Sequence, residues 1–234
     1  MFGNTAPDVQ VVSGQARQET HFFNLPILAG DRPAWAGIFV EFPQLAVFGV
    51  LPSTQVAFLA GYVCHLQADW LWVNDIFAPF FGPRCSWATF RQRLYYHNVL
   101  RAYLDTHILP ELPKGMDACL SQVEPKSWLP FVADHHLVEW RDLLSPQLQA
   151  GGNIQTVEVF SSRQGISPPE YYALLASESR MQQEIFNHFP LELVNLYRQK
   201  VLKENIHLLS DIMAFTLHPT DTPTKGEIFQ GVQP

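Results

Sequence analysis

The chain has 234 residues, of which 47% are hydrophobic and only 16% charged, against about 25% charged in an ordinary globular protein. Seventeen Phe, seven Tyr, six Trp, eighteen Pro and nine His fill the difference. So much aromatic surface excludes a disordered chain, the prolines and scarce charge exclude a coiled coil, and a net charge of −7 speaks against a general nucleic-acid binder, whose affinity comes from neutralising phosphates.

No window reaches the roughly 18 to 20 apolar residues that a spanning helix needs. The richest stretch, 56–81, is broken by His65, Gln67, Asp69, Asn74 and Asp75. The opening MFGNTAPDVQ carries no positive region ahead of an apolar one, so no signal peptide is expected. Cys64, Cys85 and Cys119 show no CxxC spacing and read as buried, reduced thiols of a cytoplasmic protein.

Gly3, Pro7, Gly14, Pro26, Gly30 and Pro33 punctuate a front segment that reads as loop, and 34–51 reads as a short helix or packed loop. Pro52-Ser53-Thr54 starts the strongest predicted helix, 55–77, which Pro79, Gly82 and Pro83 stop. Ser86 is expected to cap a second helix over 87–108. A third is expected over 127–149, then a brief strand or loop at 154–162, and helices over 168–186 and 191–214. The fold class is all-α, with one domain over 1–214 and a flexible C-terminal tail over 215–234.

Four residues stand out as chemistry. Asp8 lies in Gly3-Asn4-Thr5-Ala6-Pro7-Asp8, His21 follows Thr20, and His65 and Asp69 sit four apart on the strongest predicted helix, hence on one face. An imidazole and a carboxylate so placed can grip one ion together with ligands from elsewhere. Asp69 is followed by Trp70, Leu71 and Trp72 in an apolar helix. A carboxylate buried there needs a compensating cation, arginine or hydrogen-bond network; a His–Asp hydrogen bond that only orders the core is the plainer alternative.

The GNxAPD segment, the THF after it and the GYxxHLxxDxxW helix together resemble the bacterial zinc-dependent phospholipase C family, whose wider superfamily includes fungal single-strand-specific nucleases. The likeness is best over residues 3–81. It implies an all-α multi-helix bundle with one zinc held by Asp8, His21, His65 and Asp69. It also implies that Asp8 lies between metal and attacking water as the candidate catalytic base.

The pattern departs from the family in two places. Family members carry a helix before GNxAPD that supplies ligands for a further zinc; here Met1 stands two residues before Gly3, so that helix is expected to be missing. The family's later HxxxE pair is also unmatched: four residues after His97 stands Arg101, a cation that cannot ligate. His135 and Glu139 have HxxxE spacing but lie late and read as a solvated face. His107 and Glu111 are interrupted by Pro110. Clustered metals hold both attacking and leaving oxygens, so full phospholipase activity is not expected from one site.

Among other residues, Arg17 reads as solvent-facing rather than phosphate-binding. Trp70, Trp72, Phe77, Phe80 and Phe81 read as core rather than as a ligand platform. Asp75 points away from Asp69, and His97 reads as a core histidine with a lesser case as a ligand. No GxSxG, P-loop or GxGxxG is present. The leading expectation is a zinc-binding phosphodiester hydrolase-like protein acting on a phosphodiester or phospholipid. Its rival is a non-catalytic relative with one structural zinc that serves as a protein-interaction module, and a single-strand nuclease comes third.

Overall fold

The computed structural model describes residues 1–149, 152 and 155–217, with side chains through 212. Every regular element among them is helical, as expected. The main helices are α1 (Ala34–Glu41), α2 (Ser53–Trp72), α3 (Phe90–Ile108), α4 (Asp134–Leu144), α5 (Thr156–Gln164), α6 (Pro168–Leu175) and α7 (Glu192–Leu217). None of the described helices is long and apolar enough to cross a membrane. The expected tail lies outside the described residues from 218 onward, while 215–217 continue α7.

The front segment is not simply loop. It folds into short turns of helix, Phe2–Asn4, Ala6–Val9, Gln10–Ser13 and Arg17–His21, which lie on α2. The contact is backbone to backbone: a Cβ on Gly3 would stand 1.9 Å from the Phe58 carbonyl oxygen, and one on Gly61 would stand 2.9 Å from the Asn4 nitrogen. Phe2, Ala6 and Val9 are buried with Phe58, Leu59, Tyr62 and Leu66 of α2 and with Leu137 and Trp140 of α4. Trp140 Nε1 donates to the Thr5 carbonyl at 2.7 Å. A second cluster packs Phe81, Val99, Leu100, Tyr171, Leu174 and Phe189.

Several expected boundaries move for local reasons. After Trp72 the chain keeps winding through Val73–Phe81 in wider π-helical turns that accommodate Pro79, which lacks an N–H for the α pattern. The second helix starts at Phe90 instead of 87. Thr89, not Ser86, caps it: the Thr89 hydroxyl accepts from Gln92 N at 3.3 Å and Gln92 Oε1 accepts from Thr89 N at 3.0 Å, a reciprocal capping box. The loop before it is held by buried Arg93, which donates to the Phe81, Gly82, Trp87 and Ala88 carbonyls.

Residues 127–133 stay out of the third helix, since Ser127 is left-handed at φ 54° and its N–H donates to the Asp134 carboxylate at 2.8 Å. The short helix Met116–Ser121 had no expectation. The expected strand or loop near 154–162 is corrected to α5, whose buried Val157, Phe160 and Ser161 repeat at three and four residues as one helix face does. The helix expected over 168–186 breaks after Leu175 and restarts when the Ser177 hydroxyl accepts from Arg180 N.

Because nothing flexible lies between Gly3 and the Phe58 carbonyl, Gly3→Ala is expected to lift the front segment off α2 and cost about 3 kcal/mol, the upper range for overpacking. Urea unfolding of wild type and variant measures it; an unchanged midpoint contradicts the close approach.

Candidate metal centre

Two short turns and the long helix α2 deliver the side chains of the site. Pro7 lies in the turn Ala6–Val9 just ahead of Asp8. His21 is the last residue of Arg17–His21, where Phe22 adopts a left-handed backbone at φ 59° and turns the chain away. The Phe22 ring packs edge-on against Phe131 with centroids 5.2 Å apart, and such a conformation at a non-glycine residue persists only when the surroundings impose it. His65 lies in mid-α2 and Asp69 one turn later.

Asp8, His21 and His65 come together so that one donor atom from each lies within 4.8 Å of the others, a group able to hold a metal ion. His21 Nε2 is 3.6 Å from Asp8 Oδ1, and His65 Nε2 is 4.0 Å from Asp8 Oδ2. Hydrogen bonds fix which ring nitrogen faces inward. His65 Nδ1 donates to the Asn4 carbonyl at 2.7 Å, so its Nε2 presents a lone pair, and that atom is buried with no hydrogen-bond partner. His21 follows the same logic through a relay. The one proton of the Thr20 hydroxyl has two acceptors, Gln10 Oε1 at 3.0 Å and the Arg17 carbonyl at 3.1 Å, and with either the hydroxyl accepts from His21 Nδ1 at 3.0 Å, while Gln10 Nε2 donates to Asp8 Oδ1 at 3.4 Å. Outer partners of this kind orient metal-ligating histidines.

Asp69 is at the site but already engaged. Its Oδ2 is 3.6 Å from His21 Nε2 and accepts a short charged hydrogen bond from Arg17. The Arg17 guanidinium also lies over the Phe23 ring, 4.6 Å from its centroid. Arg17 is therefore only partly the solvent-facing side chain expected; it is the compensating cation beside half-buried Asp69. The sequence offered no signal for a pairing across 52 residues. Gln10, Thr20 and Asn4 were equally unmarked, although the last two lie inside the conspicuous motifs.

The edge formed by Asp8, Arg17 and Asp69 is open, with side chains 35%, 34% and 26% exposed, whereas His21 is 1% exposed. Burial pushes the Asp8 carboxyl up, but His65, His21, Arg101 and Arg17 together bring it down to about 2. Burial lowers His21 to about 4, helped by Arg17 and opposed by Asp8 and Asp69. At neutral pH the site thus holds an ionised carboxylate and a neutral imidazole, the protonation states that ligation needs.

The remaining candidates are elsewhere. His97 is a core histidine: it accepts from Trp72 Nε1 at 2.8 Å and packs against Phe77 and Phe81. Arg101 lies over the Phe160 ring. Exposed Glu139 reaches His136, not His135, at 3.7 Å, and Glu111 lies 3.6 Å from Arg198. Asp75 pairs with Lys200 at 2.7 Å, away from the site as its helical position requires. Trp70, Trp72, Phe77, Phe80 and Phe81 pack into the two cores. All three thiols are free, but of these Cys64 alone is buried and Cys119 is exposed, correcting the expectation of three buried thiols. His218 lies outside the described residues.

Two buried imidazoles make a definite pH signature. Burial, helped by Arg101, lowers His97 to about 3, and His21 is at about 4, while both titrate near 6.5 in the unfolded chain. The unfolded chain binds more protons below that value, so stability is full above about pH 6.5 and falls as the pH drops toward 4. The expected loss by pH 5 is on the order of 2 kcal/mol for each histidine. Urea midpoints of metal-free protein at pH 7 and pH 5 check this, and equal midpoints refute it.

No protein-family model, curated protein or solved structure matches this chain, and the likeness over residues 3–81 rests on the residue pattern alone.

Proposed function

We propose that the protein binds one zinc ion through Asp8, His21 and His65, with Asp69 as a fourth ligand, and acts as a phosphodiester hydrolase of the kind it resembles. The observation that carries this reading is the buried, unpartnered His65 Nε2. A buried polar atom without a partner costs about 1–3 kcal/mol, and here the atom is a lone pair aimed at a carboxylate and a second imidazole. Two nitrogens and one or two carboxylate oxygens form a borderline donor set of the type zinc takes.

When bound, zinc lowers the pKa of a coordinated water and offsets charge on phosphoryl oxygens. The chain's own residues do the rest. Thr20 and Asn4 orient His21 and His65 through Nδ1, turning Nε2 of each toward the site. Asp8, opposite both imidazoles on the open edge, is placed to ligate and is the candidate base. The open edge gives a substrate access from the side of Asp8, Arg17 and Asp69.

Elemental analysis of the purified chain is expected to give one zinc per molecule, and none in His65→Ala; no metal in the wild type, or iron in its place, overturns the assignment. Thr20→Val, which unties His21 Nδ1, is expected to lower zinc affinity about 10- to 100-fold. Release of p-nitrophenol from a chromogenic phosphocholine ester by the zinc-loaded chain, lost in His65→Ala, distinguishes the hydrolase. Bound zinc without release identifies instead a non-catalytic relative that uses its surface for protein interaction.

A further inference from the structure

Arg17 and a metal ion would compete for one oxygen. Asp69 Oδ2 is 3.6 Å from His21 Nε2, and two ligands of a tetrahedral zinc with bonds near 2.1 Å stand about 3.4 Å apart. That oxygen is therefore already at ligand distance from His21, yet it is held by the Arg17 guanidinium. A dication attracts a carboxylate about twice as strongly as a guanidinium at equal distance.

The charge of the site reverses with occupancy. Asp8 and Asp69 against Arg17 leave one net negative charge, and a dication turns this into one net positive charge. Arg17 has a second support besides Asp69, because its guanidinium also rests on the Phe23 ring at 4.6 Å, a contact that favours a planar cation. It is 34% exposed, on the open edge of the site. A guanidinium donates in a fork that matches the oxygens of a tetrahedral anion.

We infer that Arg17 is a metal-gated oxyanion-binding residue: occupancy of the Asp8–His21–His65 group draws Asp69 away from Arg17, and the freed guanidinium takes a tetrahedral oxyanion beside the metal. This rests on the metal-binding reading above and not on any hydrolytic activity. Arg17 and the metal each supply part of the anion's binding, so neither suffices while Asp69 occupies the guanidinium. The empty site refuses the anion and the loaded site accepts it.

Isothermal titration of inorganic phosphate into the full chain, EDTA-dialysed or zinc-loaded, tests the coupling. Phosphate is expected to bind the zinc-loaded chain at least tenfold more tightly than the metal-free chain. Arg17→Gln is expected to bind zinc several-fold more tightly, because Asp69 is released, while its zinc-loaded form binds phosphate at least tenfold more weakly than wild type. Opposite changes in one variant cannot arise from misfolding. Asp69→Asn, which frees Arg17 permanently, is expected to raise phosphate affinity of the metal-free chain several-fold. Equal phosphate affinity in zinc-loaded wild type and Arg17→Gln overturns the inference, as does weaker zinc binding by Arg17→Gln or an unchanged metal-free Asp69→Asn. Failure of the wild type to take up zinc overturns the metal-binding reading itself.

Discussion

Gly3 and Gly61 allow two backbones to touch where any side chain would force them apart, and the site is built on that contact. With the turn Phe2–Asn4 seated directly on α2, the Asn4 carbonyl reaches His65 Nδ1. The proton on Nδ1 is thereby fixed, and Nε2 is left bare toward the interior of the site. The same seating sets the start of the next turn, in which Pro7 fixes the backbone just ahead of Asp8, so the carboxylate arrives opposite both imidazoles. A shift of an ångström at Gly3 would move Asp8 and release His65 together. Tautomer, ligand position and burial are consequences of one packing constraint.

Electrostatics closes what packing arranges. Asp69 stands on a helix whose neighbours are Trp70, Leu71 and Trp72, where an unpaired carboxylate would be costly to bury. Arg17 answers that cost from a short helix in the front segment, and Phe23, two residues past His21, supports the guanidinium from beneath. His21 is consequently flanked by two carboxylates and a guanidinium while almost wholly removed from water, and it stays neutral. Arg17 thus links the charge state of His21, the availability of Asp69 and the net charge presented to solvent. The three cannot be changed independently.

The elements that were legible in the sequence are those whose signals are local. The spacing of His65 and Asp69 gave one helix face, Pro52-Ser53-Thr54 marked the start of α2 to within two residues, and apolar periodicity placed α3 and α7. Asp8, His21 and His65 were identifiable because their motifs are compact. Boundaries failed where the deciding interaction is reciprocal or distant. The Thr89–Gln92 capping box competes with Ser86 for the start of α3, and Arg93 holds the preceding loop from inside the following helix. A brief strand or loop was expected near Val157, although its burial with Phe160 and Ser161 follows helical spacing. Arg17 was the most consequential misreading. The sequence showed that Asp69 needs a cation, an arginine or a hydrogen-bond network but carried nothing to say that an arginine 52 residues away answers it.

A metal held here as proposed would have little structural work left to do. A structural zinc holds together segments that would otherwise part. Here the segments are already joined. Trp140 bonds the Thr5 carbonyl, the Tyr62 hydroxyl bonds the Thr20 carbonyl at 2.6 Å, and Gln15 Nε2 bonds the Phe131 carbonyl at 2.8 Å. Asn4 and Thr20 hydrogen-bond the two histidines. Preorganisation of this kind removes the ordering cost that binding would otherwise incur, so the affinity of the site need not be consumed in folding the chain. The exposure gradient points the same way. His21 is sealed behind the group, whereas Asp8, Arg17 and Asp69 line its solvent edge, so one side of any bound ion faces outward toward a charged rim. A group open on one side and edged by a guanidinium has the arrangement that the proposed function requires, with a bound ion facing a ligand.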